Sequence, residues 1–161
     1  MKKLLVILIL LAMASEAGAA VSSSDETKFL IGFGGGFESG NGLQLGMKRG
    51  ENTEMLGLGV LYDGQTAEFK YSVGLRYLRT LYSGRVNDTY AWTGCGITGH
   101  NRTGSDGTLV SAGAGVGFSL HFGLPFHLNV DSGWRIYHDD EDQFTGLQFG
   151  PTINGALVYE W

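Results

Sequence analysis

Between Gly146 and Trp161 the apolar side chains fall on alternate positions. Leu147, Phe149, Ile153, Leu157, Tyr159 and Trp161 take the odd sites, and Gln148, Thr152, Asn154 and Glu160 take even ones, with Gly150, Ala156 and Val158 as small or apolar exceptions. Period two is the mark of a strand with two unlike faces, because successive Cβ atoms point to opposite sides of a pleated backbone. The same rhythm recurs along the chain and predicts eight strands, at about Lys28–Phe37, Gly42–Lys48, Thr53–Tyr62, Thr66–Leu81, Thr89–Ile97, Thr108–Phe122, Phe126–Tyr137 and Gly146–Trp161. The breaks between them carry turn chemistry: Glu38-Ser39-Gly40-Asn41, Arg49-Gly50-Glu51-Asn52, Asp63-Gly64-Gln65, Ser83-Gly84, Gly104-Ser105-Asp106-Gly107 and Gly123-Leu124-Pro125. No stretch after the first twenty residues has convincing helical periodicity, so the fold class is all-β.

Which face turns inward decides between a soluble β-sandwich and a membrane barrel. In the sixth strand Val110, Ala112, Ala114, Val116, Phe118, Leu120 and Phe122 oppose Ser111, Gly113, Gly115, Gly117, Ser119 and His121. The seventh sets Phe126, Leu128, Val130, Trp134 and Ile136 against His127, Asn129, Asp131, Gly133, Arg135 and Tyr137. In the fourth, Phe69, Tyr71, Val73, Leu75 and Tyr77 oppose Glu68, Lys70, Ser72, Gly74 and Arg76. Bulky apolar residues on one face suit lipid, and small or charged residues on the other suit a narrow lumen where opposite charges pair. Eight strands close a barrel just wide enough for side chains to fill, and closure leaves no strand edge unpaired in hydrocarbon. The fifth strand is ambiguous, since Tyr90 and Trp92 share one face and Cys95 and Ile97 the other.

Lys2 and Lys3 precede an apolar run from Leu4 to Ala14, followed by Ala17-Gly18-Ala19-Ala20. This is the pattern of a secretory signal peptide, too short in its apolar part to span a bilayer. Cleavage after Ala19 would leave a single domain, residues 20–161, and take the net charge from −5 to −6 by removing Lys2, Lys3 and Glu16. An acidic chain without basic clusters is a poor nucleic-acid ligand. Glycine supplies 27 residues and proline only 2, which favours close-packed strands over collagen or a disordered linker. Cys95 is the only cysteine, so an internal disulfide is excluded and a structural place on a strand is expected.

These features resemble the small bacterial outer-membrane barrels of the OmpA/OmpX-like class. The resemblance covers residues 20–161 and rests on the signal peptide, the strand count, the turn Gly123-Leu124-Pro125-Phe126 and the closing Leu157-Val158-Tyr159-Glu160-Trp161. It implies an eight-stranded antiparallel up-and-down transmembrane β-barrel in the bacterial outer membrane, with a structural or surface-interaction role and a largely plugged lumen. Outer-membrane lipid and lipopolysaccharide would surround it, and Tyr159 and Trp161 would form the signal read by the barrel-assembly machinery. The barrel would be a monomer without cofactor. No peptidoglycan-binding domain follows the last strand, so cell-wall anchoring is not expected. With both termini in the periplasm, the longest outward loops fall at about Thr98–Gly107 and His138–Thr145. Phe29, Phe122, Phe126, Tyr159 and Trp161 would line one membrane interface, and Phe37, Tyr62 and Tyr137 the other.

Candidate chemistry concentrates on the polar face. Lys48, Glu68, Lys70, Arg76, Asp131, Arg135 and Glu160 carry both signs and are expected to form a lumen charge network that plugs the bore, with a narrow ion channel as the alternative. The short sixth-to-seventh turn places His121 nearly opposite His127 and Ser119 opposite Asn129. With Glu160 nearby these could ligate a metal, but they equally make a hydrogen-bonded polar cluster, which is the expected reading. Some barrels of this size modify lipid A; the deacylases carry His followed two residues later by Ser on one strand. Here Ser119 precedes His121, and His127 is followed by Asn129, so no catalytic site is expected. The acidic run Asp139-Asp140-Glu141-Asp142 lacks the spacing of an EF-hand and reads as a solvated loop. Gly94-Cys95-Gly96-Ile97-Thr98-Gly99 matches a dinucleotide fingerprint only formally, because no helix follows it.

Overall fold

A computed structural model describes residues 26–36, 42–63, 68–102, 105–139 and 147–161, with side chains except at 61–63, 68, 100–102, 105–106 and 139. The expected signal peptide, Phe37 and the acidic run after Asp139 lie outside the described residues, as do the side chains of Tyr62 and Glu68.

Eight strands form one closed, wholly antiparallel barrel in sequential order: β1 Thr27–Gly35, β2 Gly42–Arg49, β3 Asn52–Asp63, β4 Glu68–Ser83, β5 Asn87–Arg102, β6 Ser105–His121, β7 Phe126–Asp139 and β8 Gln148–Glu160. This is the fold expected from the alternation and from the OmpA/OmpX-like resemblance, and it replaces the two packed sheets of a sandwich with one sheet that has no edge. Closure is made by β1 and β8, extended past the ladder by Phe29 N donating to Trp161 O at 3.0 Å and Trp161 N donating to Phe29 O at 3.1 Å.

The strands are staggered as they go round. From Leu30 the paired inward residues run through Gly46, Met55, Arg76, Gly94, Gly113 and Arg135 to Gly150, yet Leu30 itself pairs with Glu160, ten residues further along β8 (160 − 150). Such a stagger tilts the strands against the barrel axis and sets which side chains share a level in the lumen. The end bearing Thr27 and Glu160 is called proximal below, and the other end distal.

Polarity is inside out relative to a soluble protein. Phe33, Trp134, Phe149 and Ile153 face outward with about 70% of their surface exposed (70, 69, 75 and 74%), whereas Arg76, Asp131 and Asn154 are buried at 6, 3 and 2%. β5 resolves its ambiguity by turning Tyr90 and Trp92 inward, both 3% exposed, with Cys95 on the outward side. Big aromatic rings fit there because β6 places glycine next to them: a Cβ on Gly117 would stand 2.7 Å from the Tyr90 hydroxyl and would collide with the Asp131 Cβ.

Two expectations change. The third distal loop, anticipated at Thr98–Gly107, is mostly strand, because β5 runs to Arg102, β6 starts at Ser105, and the two pair as Arg102↔Ser105. Gly99 and Gly107 take part in this ladder, opposite Thr108 and His100. Tyr137 is not on the outer girdle: it shares the inward parity of Asp131 and Arg135, and the Arg135 guanidinium sits 4.4 Å over its ring. At the proximal end the aromatic belt does form, with Phe29 and Trp161 rings 6.1 Å apart, Tyr159 and Trp161 5.9 Å apart, and Phe126 and Tyr159 5.1 Å apart.

Candidate functional site in the barrel lumen

The inward side chains form layers. At the proximal mouth every strand contributes a polar residue: Lys28, Lys48, Thr53, Thr80, Asp88, His121, His127 and Glu160, from β1 to β8 in order. Glu160 accepts from Lys28 Nζ at 2.8 Å and lies 3.8 Å from Lys48 Nζ and 3.6 Å from His127 Nε2. Asp88 takes Ser83 Oγ at 2.6 Å, with His121 Nε2 at 3.0 Å and Lys48 Nζ at 4.0 Å. The His121 and His127 rings meet edge to face, 4.4 Å between centroids, because these two residues are paired directly across the β6–β7 hairpin.

Above this ring comes an apolar collar of Leu30, Met55, Leu78 and Val158, all buried, which joins Tyr90 and Trp92. Between ring and collar lies a cavity of about 40 Å³ bordered by Ser119, Asn129, His127 and Glu160. That volume admits water and nothing as large as an organic substrate.

The next layer is a deeply buried polar cluster. Asp131 Oδ2 accepts from Arg76 Nη2 at 2.7 Å and from the Tyr90 hydroxyl at 2.9 Å, while Oδ1 accepts from Asn154 Nδ2 at 2.7 Å. The Arg76 guanidinium also lies 4.7 Å from the centre of the Trp92 ring. Three donors compensate the carboxylate for its burial, while the guanidinium is held by the carboxylate through Nη2 and by the indole face, with its Nε buried and without a hydrogen-bond partner among the described residues. Toward the distal end stand Ser72, Ser111, Thr152, Arg135 and Lys70.

Of the seven charges grouped by parity, the six whose side chains are described therefore fall in separate layers. Lys48 and Glu160 belong to the proximal ring, Arg76 and Asp131 to the middle layer, and Lys70 and Arg135 to the distal half, with the apolar collar separating the first two groups. Sequence reasoning missed Lys28, Asp88, Tyr90 and Asn154 as members. Asp88 and Tyr90 could have been found from parity with Trp92 once β5 was extended to Asn87. Lys28 required knowledge that β1 closes on β8.

The chemistry of these groups is limited. Among the described residues no set of three or more His, Cys, Asp or Glu side chains is arranged to hold a metal. The carboxylates of the ring are already countered by Lys28 and Lys48. Among the described residues no hydrogen bond joins the Ser119 hydroxyl to either imidazole, and His121 Nε2 is directed to Asp88 instead.

No protein-family model and no curated protein matches the sequence. Among solved structures the chain is similar to Neisserial surface protein A, at 12% identity over 84% of this chain and 96% of that one with a TM-score of 0.49. It is also similar to a major outer membrane protein from Thermus thermophilus, at 15% identity over 84% of this chain and 100% of that one with a TM-score of 0.46. By its own strand order and polarity the chain is a closed eight-stranded antiparallel barrel of the transmembrane type.

Proposed function

We propose that this protein is an integral barrel of the bacterial outer membrane with a plugged lumen, serving envelope structure or surface interaction rather than catalysis. The supporting observation is the inverted polarity: an Arg76–Asp131–Asn154 cluster almost without solvent access inside, and Trp134, Phe149 and Ile153 about 70% exposed outside (69, 75 and 74%). Water gives no reason to expose such a band, whereas hydrocarbon does. The apolar collar and the middle ion pair lie in series along the bore, so both would have to open for ions to pass. Outer-membrane lipid and lipopolysaccharide are its surroundings, and Tyr159 and Trp161 on the closing strand are the residues that the barrel-assembly machinery would engage.

The test is to refold residues 20–161 in detergent and compare boiled and unboiled samples by denaturing electrophoresis, followed by planar-bilayer recording. A boiling-dependent shift in mobility with electrical silence is the expected result. Steady conductance would reject the plugged lumen, and a chain soluble without detergent would reject the membrane assignment.

A further inference from the structure

We propose that the proximal ends of β4 and β5 form an external binding site for the phosphate of an anionic glycerophospholipid, built from Arg79, Arg85 and Tyr82. The proposal rests on the membrane-spanning reading and adds a ligand to it.

Three observations carry the proposal. Arg79 is on the outward parity of β4, in line with Phe69, Tyr71, Val73, Leu75 and Tyr77, and it is exposed on a surface otherwise given to lipid. Neither Arg79 nor Arg85 has an ion-pair partner among the described residues: Glu54, on the outward face of the adjoining β3, stands opposite Tyr77 rather than opposite Arg79, whose own cross-strand partner is Asn52. By contrast, Lys28, Lys48 and Arg76 inside the barrel are all paired. Beside an exposed apolar seat at the edge of hydrocarbon, a guanidinium without a protein anion suits a lipid phosphate, since its planar fork matches two phosphate oxygens.

The second observation is a β-bulge. Thr80 pairs with Tyr90 but Tyr82 pairs with Thr89, so Leu81 is an extra residue. The bulge turns two consecutive large side chains outward, Leu81 at 61% and Tyr82 at 62% exposure, where regular alternation would bury one of them. They provide an apolar seat with a phenol at headgroup depth, next to Arg79.

The third is that the turn is held firmly. Gly84 N donates to Asn87 O at 2.9 Å and His121 N donates to Val86 O at 2.8 Å, tying the β4–β5 connection to itself and to β6. Arg85 and the 62% exposed Val86 at its tip are therefore presented at a fixed position. Arg79 on the strand, the exposed Tyr82 after the bulge and Arg85 in the turn follow one another along the proximal rim, so a phosphate held at this rim would draw on both guanidiniums, with the acyl chains against Leu81 and Leu75.

The test uses the refolded chain in vesicles of phosphatidylcholine, with and without phosphatidylglycerol, followed by detergent extraction and native mass spectrometry of the lipids retained. The wild type should retain phosphatidylglycerol in preference to phosphatidylcholine, and Arg79→Gln/Arg85→Gln should lower that preference by about thirtyfold, as expected for two basic groups near an anionic surface. Arg49→Gln, at the neighbouring turn, should leave it unchanged. Insertion is scored separately by the boiling-dependent shift. A double variant that inserts and retains phosphatidylglycerol as the wild type does overturns the lipid site alone, as does equal loss in Arg49→Gln. A wild-type chain that fails to insert into either vesicle overturns the membrane reading and this site with it.

Discussion

Arg76 on β4 and Asp131 on β7, 55 residues apart, meet across the barrel interior with Nη2 and Oδ2 separated by 2.7 Å. Their strands are not neighbours in the sheet, so the pair ties opposite walls of the barrel together. Side-chain exposures of 3% and 1% leave either charge dependent on the other for solvation.

Asp131→Ala should therefore destabilise the barrel by about 3–5 kcal/mol, since it strands a buried guanidinium. Replacing both residues with apolar ones of similar volume, Arg76→Met with Asp131→Leu, should cost less than the sum of the single changes. Urea unfolding of detergent-refolded protein, followed by tryptophan fluorescence, measures both; additive losses would show that the pair is not energetically coupled.

Tyr90→Phe removes one donor to Asp131 while keeping the ring in its place against the collar. Loss of a hydrogen bond to a charged acceptor should cost about 1.5–3 kcal/mol, less than Asp131→Ala, in the same unfolding experiment. A Tyr90→Phe variant as stable as the wild type would mean that Arg76 and Asn154 suffice for Asp131.

Gly117 is held to glycine by what it faces. A methyl group there would meet the Asp131 Cβ and the Tyr90 ring, and neither can retreat without breaking their hydrogen bond. Gly117→Ala should cost about 1–3 kcal/mol as an overpacking change, while Gly150→Ala, where the nearest atom to a Cβ is 3.5 Å away, should be nearly neutral in the same assay.

Trp161 touches the Phe29 and Tyr159 rings, and its backbone exchanges two hydrogen bonds with Phe29. Trp161→Ala preserves the backbone pair and removes only the aromatic surface. If Trp161 and Tyr159 are read during assembly, pulse-chase labelling in cells should show a slower appearance of the boiling-sensitive form, while spontaneous refolding in detergent changes little. Equal slowing in both would assign the ring to barrel stability instead.

The alternation of Leu147 to Trp161, and of β4, β6 and β7, was legible because the period of a strand is a local property: each side chain's face follows from its neighbours in the chain. Strand number, the outward band and the direct pairing of His121 with His127 through a short turn followed from the same local rules. The interior was not legible in this way. Arg76 meets Asp131 rather than Glu160 because the strands are offset by ten residues around the barrel, a quantity summed over every pairing and visible in none of them. The division of the lumen charges by an apolar collar likewise comes from closing the sheet on itself, while the extension of β5 to Arg102 and the bulge that exposes both Leu81 and Tyr82 are set by the pairing of neighbouring strands. Amino-acid order determined which side each residue takes; only the closed barrel decided which residues share a level, and so which charges find one another.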